Sequence, residues 1–158
     1  MEKVKTNAMR VLDKAGIKYN TYTYDVVDGQ IDGVSVAGKL GQPVEKVYKT
    51  LVTQGHSKNY FVFVIPVACE LDLKAAARSV GEKSVEMIKV ADINKVTGYI
   101  RGGCSPIGMK KDYATVIDNS CEKLDTIIFS AGKIGHQIEM SPTDLIHLIK
   151  CKVDGISV

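Results

Sequence analysis

The stretch Tyr60–Val67 (YFVFVIPV) constrains the fold more than any other part of this chain. Its residues are apolar or aromatic throughout, so both faces of the strand that they predict must be buried. The preceding run Tyr48–Thr53 (YKTLVT) predicts a second strand, and the polar turn Gly55–Asn59 spaces the two as a hairpin. The chain therefore needs a sheet in which Tyr60–Val67 is a central, covered strand.

Helix signals surround this hairpin. A first helix is predicted over residues 6–15, with Gly16 as its C-terminal cap. Further predicted helices begin after Ser35, Asp72, Asp92 and Ser141, whose side chains can cap a helix N-terminus. Further strands are predicted at residues 19–24, 84–87, 115–117, 126–130, 137–140 and 151–158. The chain has no internal repeat or linker. This order predicts one α+β domain over residues 1–158, with a mixed sheet surrounded by helices.

Composition narrows the class of protein. The chain has 158 residues, of which 45% are hydrophobic and 25% charged, as is usual for a soluble domain. No apolar run approaches the ~20 residues that span a membrane. The N-terminal stretch MEKVKTNAMR lacks the apolar core of a signal peptide, so we expect a cytoplasmic protein without membrane contact. A net charge of +3 permits a polyanionic partner without requiring one.

The four cysteines are scattered along the chain, at Cys69, Cys104, Cys121 and Cys151. No C-x-x-C pair occurs, and no histidine lies at ligand spacing from a cysteine. We therefore expect reduced thiols, no disulfide framework and no metal site.

Residues 97–111 (TGYIRGGCSPIGMKK) form a loop rich in glycine. Three glycines and a proline within residues 102–108 can continue neither a helix nor a central strand. Glycine lets the backbone approach a ligand and aim its N–H groups at an ester carbonyl or a phosphate. A tight turn between two strands is the alternative. A phosphate-binding P-loop is excluded, because Met109 and Lys110 occupy the positions of that motif's Lys and Ser or Thr.

Lys49 is the most informative single residue, because it interrupts a strand next to the central one. A buried Lys is rare unless it is paired or functional, whereas a Lys on the solvent face of the strand needs no further role. The segment Ser130–Gly135 (SAGKIG) lies between two predicted strands. It forms either a second wall of a pocket or a plain hairpin turn.

Cys104 and Ser105 in the glycine-rich loop are candidate nucleophiles, and each would need a base. His136 is the histidine that lies near a candidate loop, because His56 lies in a turn and His147 on the last helix. A Cys/His hydrolase is therefore one hypothesis, and a small buried thiol without chemistry is the other.

Short motifs along nearly the whole chain follow one another in the order of a known family. They are VYKTL (47–51), PV (66–67), LDLK (71–74), VEM (85–87), TGY (97–99), GG (102–103), SP (105–106), Gly108, KK (110–111), ID (117–118), Ser130, GK (132–133) and Gly135. Through them the chain resembles the YbaK-type aminoacyl-tRNA deacylases, which are similar to the editing domain inserted in bacterial prolyl-tRNA synthetases. Together these motifs are far more specific than any one of them.

The resemblance implies a mixed, β-barrel-like sheet with helices around it. It implies hydrolysis of the ester between a wrong amino acid and its tRNA, with Cys on the proline tRNA as substrate. The enzyme would bind the acceptor end of the aminoacyl-tRNA and use neither cofactor nor metal, with prolyl-tRNA synthetase as an implied partner. In the family the substrate's own thiol attacks its ester, so a protein nucleophile is not required.

The resemblance also implies which residues form the site. Lys49 and Gly102 are the implied catalytic residues. The implied substrate-binding residues are Tyr24, Ile31, Gly103, Ser105, Ser130 and Gln137. Two of them depart from the family pattern, since Gln137 stands in the position of an Asp and Ile31 near that of an aromatic residue. The N–H groups of Gly102 and Gly103 are expected to hold the oxyanion, each such donor contributing about 3 kcal/mol.

Two other functions stay open. A deacylase for another small amino acid, such as Ala, is compatible with Gln137 and Ile31. A tRNA- or synthetase-binding module that has lost catalysis belongs to a different class, and the presence of Lys49 and the paired glycines favours activity over it. In an active deacylase, Lys49 would anchor the terminal phosphate or the ribose of the tRNA.

Overall fold

The predicted hairpin lies in the middle of the larger of two sheets. The computed structural model describes residues 4–158. Residues 1–3 lie outside it, and they belong to the N-terminal stretch in which no signal peptide is expected. The strands are β1 (Asn20–Thr23), β2 (Tyr48–Gly55), β3 (Tyr60–Pro66), β4 (Val85–Met87), β5 (Ala114–Asp118), β6 (Ile127–Ser130), β7 (His136–Met140) and β8 (Lys152–Asp154). The α-helices are α1 (Asn7–Ala15), α2 (Gly33–Leu40), α3 (Leu73–Ser79), α4 (Ile93–Thr97) and α5 (Pro142–Ile149).

The larger sheet has five strands in the order β4-β2-β3-β5-β8. Strand β2 is antiparallel to β3 and β4, whereas β3–β5 and β5–β8 are parallel pairs. The smaller sheet has the antiparallel order β1-β7-β6. Residues 62–65 of β3 have no exposed surface, which confirms the predicted central strand. The predicted α+β class with a mixed sheet is confirmed as well.

The expected barrel-like closure is wrong, because the two sheets stay open. They meet at one isolated parallel bridge, Val47–Ile128. After that bridge β2 does not continue along β6, and its next partner on this side is β4, which it reaches at Thr53. The strand therefore changes neighbours partway along its length, and a gap remains where a barrel would be closed.

Two apolar cores lie on the two faces of β3. Val64 packs with α1, α5 and the smaller sheet, in a cluster that includes Leu12, Phe129 and Leu145. Phe63 points the other way, because successive side chains of a strand face opposite sides, and packs with Ala76 of α3. The double-sided apolar run is thus explained by a core on each face.

Two of the four predicted N-terminal caps form and two do not. Asp72 caps α3 by accepting the N–H of Ala75, and Ser141 caps α5 by accepting that of Asp144, with Pro142 at the first position. The predicted end of α1 at Gly16 is confirmed, and the structure adds a cap at its start, where Thr6 accepts the N–H of Met9.

Asp92 precedes α4, but its side chain makes no capping hydrogen bond. The predicted cap at Ser35 is wrong: Asp32 caps α2, and the N–H and hydroxyl of Ser35 both donate to its carboxylate. No helix within residues 4–158 is long and apolar enough to cross a membrane.

Candidate active site

A cavity of about 820 Å³ opens in the gap between the two sheets. Strand β2 pairs with β4 through Thr53–Gly55 and meets β6 at Val47, so residues 48–52 have no neighbouring strand on this edge within residues 4–158. All five of these residues line the cavity. Because the cavity lies along an edge, side chains from both faces of β2 can reach it. Its volume is that of an ordinary small-molecule site.

The structure brings five of the eight predicted site residues to the wall of this cavity. They are Ile31, Lys49, Gly102, Ser130 and Gln137, which come from four separate parts of the chain. The predicted pocket wall at Ser130 is therefore present, at the point where β6 ends. The roles assigned to these residues stay predictions.

Lys49 is half-buried in the cavity wall rather than extended on an open face of the sheet. No carboxylate within residues 4–158 lies close enough to form an ion pair with its ammonium group. Partial burial without a counter-ion leaves this charge available to an anionic or polar ligand. The solvent-face interpretation does not describe this position.

Thr50 presents unsatisfied polar groups to the same cavity. The carbonyl of Val47 accepts an N–H from the β3 side, and that of Val52 accepts one from Ile88 on the other side. Since hydrogen-bonding direction alternates along an antiparallel strand, the N–H and C=O of Thr50 point to the open edge. Its hydroxyl Oγ1 is buried and has no partner within residues 4–158.

The glycine-rich loop enters the wall through a tight turn. The N–H of Gly103 donates to the carbonyl of Ile100 at 2.9 Å, and Gly102 between them has φ +83°. This is the geometry of a type II turn, whose third residue favours glycine. The expected pair of oxyanion donors is therefore wrong, because the Gly103 N–H is already used. The N–H of Gly102 has no acceptor within residues 4–158 and remains the candidate donor.

The glycine-rich loop (residues 97–111) and the second loop (Ser130–Gly135) pack against each other, backbone to backbone. A Cβ added to Gly103 would lie 3.1 Å from the nitrogen of Ile134 and 3.3 Å from the carbonyl carbon of Lys133. Tyr99 lies against Gly132 and donates its hydroxyl to the carbonyl of Ile107 at 2.6 Å. The glycines are thus needed for close approach, and they hold the turn at Gly102 against the loop that contains Ile134.

Tyr24, Gly103 and Ser105 lie behind the cavity wall rather than on it. Ser105 is fully buried, and its hydroxyl accepts the N–H of Ile107, so it shapes the loop. Tyr24 is buried beside the second loop, where its N–H donates to the carbonyl of Gly135. Its hydroxyl is buried without a partner within residues 4–158. Substrate contacts by these three residues stay predictions.

A buried carboxylate connects the strands that carry the site. Glu139 on β7 accepts hydrogen bonds from Lys46 at 2.7 Å and from Tyr22 and Thr126 at 2.6 Å each. Burial alone would raise the pKa of this carboxyl, but the three hydrogen bonds outweigh it and lower the pKa to about 2. Lys46 directly precedes Val47, so the ionised Glu139 ties the start of β2 to the smaller sheet.

Cys104 lines the cavity but is not activated as a nucleophile. Burial raises the pKa of its thiol to about 11, so the thiol is protonated near neutral pH. His136 is absent from the residues that line the cavity. The Cys/His hydrolase hypothesis is therefore disfavoured. All four cysteines are free thiols, and residues 4–158 contain no group of three His, Cys, Asp or Glu side chains that could hold a metal ion.

Cys104→Ala and Cys104→Ser should keep ester hydrolysis within a few-fold of the parental rate, because a protonated thiol contributes little as a nucleophile. The measurement is the single-turnover rate on a misacylated tRNA. Loss of a catalytic group costs roughly a hundredfold or more, so a drop of that size would restore the hydrolase hypothesis.

Thr50 and Arg101 are among the residues of the wall that sequence reasoning missed. Thr50 lies inside the VYKTL motif, but nothing in the sequence shows that its backbone faces a gap or that its hydroxyl lacks a partner. Arg101 directly precedes the paired glycines, and a basic residue beside a glycine-rich loop was the signal that could have identified it.

Comparisons with known proteins agree with this architecture. The family model of the aminoacyl-tRNA editing domain matches residues 32–148. A protein of Enterococcus faecalis, provisionally named Cys-tRNA(Pro)/Cys-tRNA(Cys) deacylase EbsC, is 44% identical over 144 residues, covering 91% of this chain and 88% of its own. A solved structure described provisionally as a trans-editing enzyme for prolyl-tRNA synthetase superposes with a TM-score of 0.83 at 20% identity, covering 99% of each chain.

A second solved structure, the hypothetical protein APE2540, has a TM-score of 0.88 at 18% identity and covers 97% of this chain and 100% of its own. At such identities the structural matches establish the fold alone. The family match and the Enterococcus relative establish more: the chain belongs to the aminoacyl-tRNA editing domain family. The predicted YbaK-type membership is confirmed, and with it the class of activity, an aminoacyl-tRNA deacylase.

Proposed function

We propose that this protein edits in trans by hydrolysing the ester of misacylated tRNA, with Cys-tRNA(Pro) as its main substrate. The choice of Cys is supported by the name of the Enterococcus relative, which is 44% identical. The proline tRNA is supported by that name and by the solved trans-editing structure. The acceptor end of the aminoacyl-tRNA would enter the cavity between the sheets.

One observation carries the proposal. Three buried side-chain polar atoms have no hydrogen-bond partner within residues 4–158, namely Tyr24 Oη, Thr50 Oγ1 and Gln137 Oε1. Two of them belong to residues of the cavity wall, and the third belongs to the strand end that is held against the second loop. Because folded proteins satisfy nearly all buried polar groups, unpartnered polar atoms on residues of a cavity wall are typical of a site that is completed by a polar ligand.

The substrate can be oriented from these groups. The α-ammonium of the amino acid would donate to Gln137 Oε1, and the ester carbonyl would accept the N–H of Gly102. Lys49 would contact the ribose end of the ester. As the carbonyl oxygen gains negative charge, the Gly102 N–H and the Lys49 ammonium stabilise it, and each such donor contributes about 3 kcal/mol in a site sheltered from water.

The nucleophile would come from the substrate. The cysteinyl thiol loses its proton as its sulfur attacks the ester carbon, forming a four-membered thiolactone. The bond to the ribose oxygen breaks, and that oxygen takes the proton and leaves as the tRNA hydroxyl. Water then opens the thiolactone to free cysteine. This route is consistent with a protonated Cys104, which is unsuited to attack. It also favours Cys over amino acids that lack a nucleophilic side chain.

A panel of labelled aminoacyl-tRNAs tests the proposal. Cys-tRNA(Pro), Ala-tRNA(Pro), Cys-tRNA(Cys) and Pro-tRNA(Pro) are incubated with the protein, and loss of the amino acid is followed. We expect Cys-tRNA(Pro) to be cleaved fastest and Pro-tRNA(Pro) to be spared. Fastest cleavage of Ala-tRNA(Pro) would establish the other deacylase. Binding of tRNA without cleavage of any substrate would indicate a non-catalytic module.

Prolyl-tRNA synthetase is the partner that we propose for this editing. The support is the description of the solved trans-editing structure alone. Adding the synthetase should increase the selectivity for tRNA(Pro) over tRNA(Cys) in the same panel. Equal rates on both tRNAs with and without the synthetase would contradict the partnership and leave the deacylase intact.

Gln137→Asp should increase the preference for Cys-tRNA over Ala-tRNA or raise the rate on both. A carboxylate binds an ammonium by a charge-assisted hydrogen bond, roughly twice as strong as the neutral bond that Gln offers. The measurement is the rate on Cys-tRNA and Ala-tRNA at several enzyme concentrations, with Gln137→Asn as the matched neutral control. A Gln137→Asp variant that behaves like the parent on both substrates would show that this side chain does not contact the amino acid.

A further inference from the structure

Arg101 is a cation at the mouth of the cavity that the chemistry above does not use. It lines the cavity, yet its side chain is exposed, whereas Lys49 is half-buried in the wall. Within residues 4–158, Arg101 forms neither an ion pair nor a side-chain hydrogen bond. The wall therefore holds two positive charges without an ion-pair partner, Arg101 at the mouth of the cavity and Lys49 deeper in its wall.

The backbone holds Arg101 in a defined place. It is the second residue of the turn that the Gly103 N–H closes on Ile100, so it directly precedes Gly102. The backbone of Lys133 packs against Gly103, which brings the second loop and its exposed lysine beside the same turn. A guanidinium on a closed turn can bind a ligand with less ordering of the chain than one on an open loop.

The cavity wall contains one acidic residue, Asp32. Its carboxylate already accepts the N–H and the hydroxyl of Ser35 at the start of α2. The mouth is therefore suited to an anion. An aminoacyl-tRNA end carries a positive ammonium and a neutral ester, so its negative charges are the backbone phosphates. These are the groups that an uncompensated Arg recognises best, through two parallel hydrogen bonds.

We propose that Arg101 binds the phosphodiester on the 5′ side of the terminal nucleotide and thereby positions the ester at Gly102. The inference rests on the proposed function. It assigns the path of the substrate: the amino acid lies inside, toward Gln137, and the single-stranded end leaves the cavity over the turn at residues 100–103. Arg101 is a positioning residue, because it acts on the ester through the phosphate that it holds.

Two substrates and three variants test this assignment. The substrates are Cys-tRNA(Pro) and the Cys ester of adenosine, which lacks the phosphate. The variants are Arg101→Gln, Arg101→Lys and the matched control Arg10→Gln, an exposed Arg on α1, a helix that contributes nothing to the cavity wall. We expect Arg101→Gln to raise KM for the tRNA about tenfold, since a charge-assisted contact is lost, with kcat little changed.

The difference between Arg101→Gln and wild type should vanish on the adenosine ester, which offers no phosphate. Arg101→Lys should give an intermediate KM, because Lys keeps the charge without the paired hydrogen bonds. Equal KM values for wild type and Arg101→Gln on the tRNA would overturn the proposal. An equal loss on both substrates would also overturn it, since Arg101 would then act on the turn or the ester instead of a phosphate.

A binding measurement separates this inference from the proposed function. Uncharged tRNA is titrated at several salt concentrations, and the slope of log affinity against log salt is compared between variants. Arg101→Gln should reduce the slope by roughly 0.7, the value for one phosphate contact on a single strand, and Arg10→Gln should not. If wild type cleaves no ester but the slope falls, the deacylase proposal fails and the phosphate contact stands. An unchanged slope overturns the contact whatever the activity.

Discussion

Replacing Lys49 by Ala should lower the deacylation rate by at least about a hundredfold while the protein stays folded. The ammonium group lies half-buried against the cavity and has no carboxylate partner within residues 4–158, so its removal breaks no ion pair of the fold. The loss should appear in kcat, because the charge is expected to act mainly on the oxyanion of the transition state. Single-turnover hydrolysis of Cys-tRNA(Pro) measures it.

Lys74→Ala is the matched control for this experiment. Lys74 is exposed on α3, which contributes no residue to the cavity wall, so the same change in net charge should leave the rate unchanged. Lys49→Arg keeps the charge but alters its shape, and it should recover part of the activity. Parental activity of a folded Lys49→Ala protein would show that Lys49 is not part of the chemistry.

Replacing Gly102 by Ala should also lower kcat by about a hundredfold, the usual loss when one oxyanion donor is misplaced. Gly102 has φ +83°, and a left-handed conformation costs a residue with a Cβ about 1–2 kcal/mol. The new Cβ would lie 2.7 Å from the terminal carbon of Ile31, so the turn or that side chain must shift. Either shift changes the direction of the Gly102 N–H.

Gly81→Ala separates the loss of the donor from plain backbone strain. Gly81 has a similar φ of +69°, has nothing within 4 Å of the added Cβ and lies outside the cavity wall. Both variants should lose stability in a thermal unfolding experiment, with a larger loss for Gly102→Ala because of the contact with Ile31, but only Gly102→Ala should lose kcat. If the two variants keep the same kcat, the oxyanion position that we assign to Gly102 is wrong.

Local chemistry accounts for the parts of the fold that were predictable from sequence. The double-sided apolar run at residues 60–67 required a central strand, and β3 is one. Caps at Asp72 and Ser141 fixed the starts of α3 and α5. The cap of α2 was misassigned because Asp32 and Ser35 are both good caps, and the choice depends on where the helix starts. The structure decides it, because α2 begins at Gly33, directly after Asp32.

The site was predictable only in part, for a related reason. The family motifs identified Lys49, Gly102, Ser130 and Gln137, and the structure brings all four to one cavity. They could not show that the N–H of Gly103 donates to the carbonyl of Ile100, since that hydrogen bond depends on the dihedral angles of the turn. Thr50 and Arg101 were missed because exposure to a cavity is a property of neighbouring segments rather than of a local pattern.

The sequence by itself determined the strands, most helix ends, the glycine-rich loop and membership of the family, because each depends on residues close together or on motifs in order. The tertiary structure alone decided that the sheets stay open and that the gap between them is the cavity. That gap exists because β2 exchanges one neighbour for another between Val47 and Thr53. Its neighbours, β4 and β6, lie thirty or more residues away along the chain, and contacts of that range are set by packing rather than by local preference.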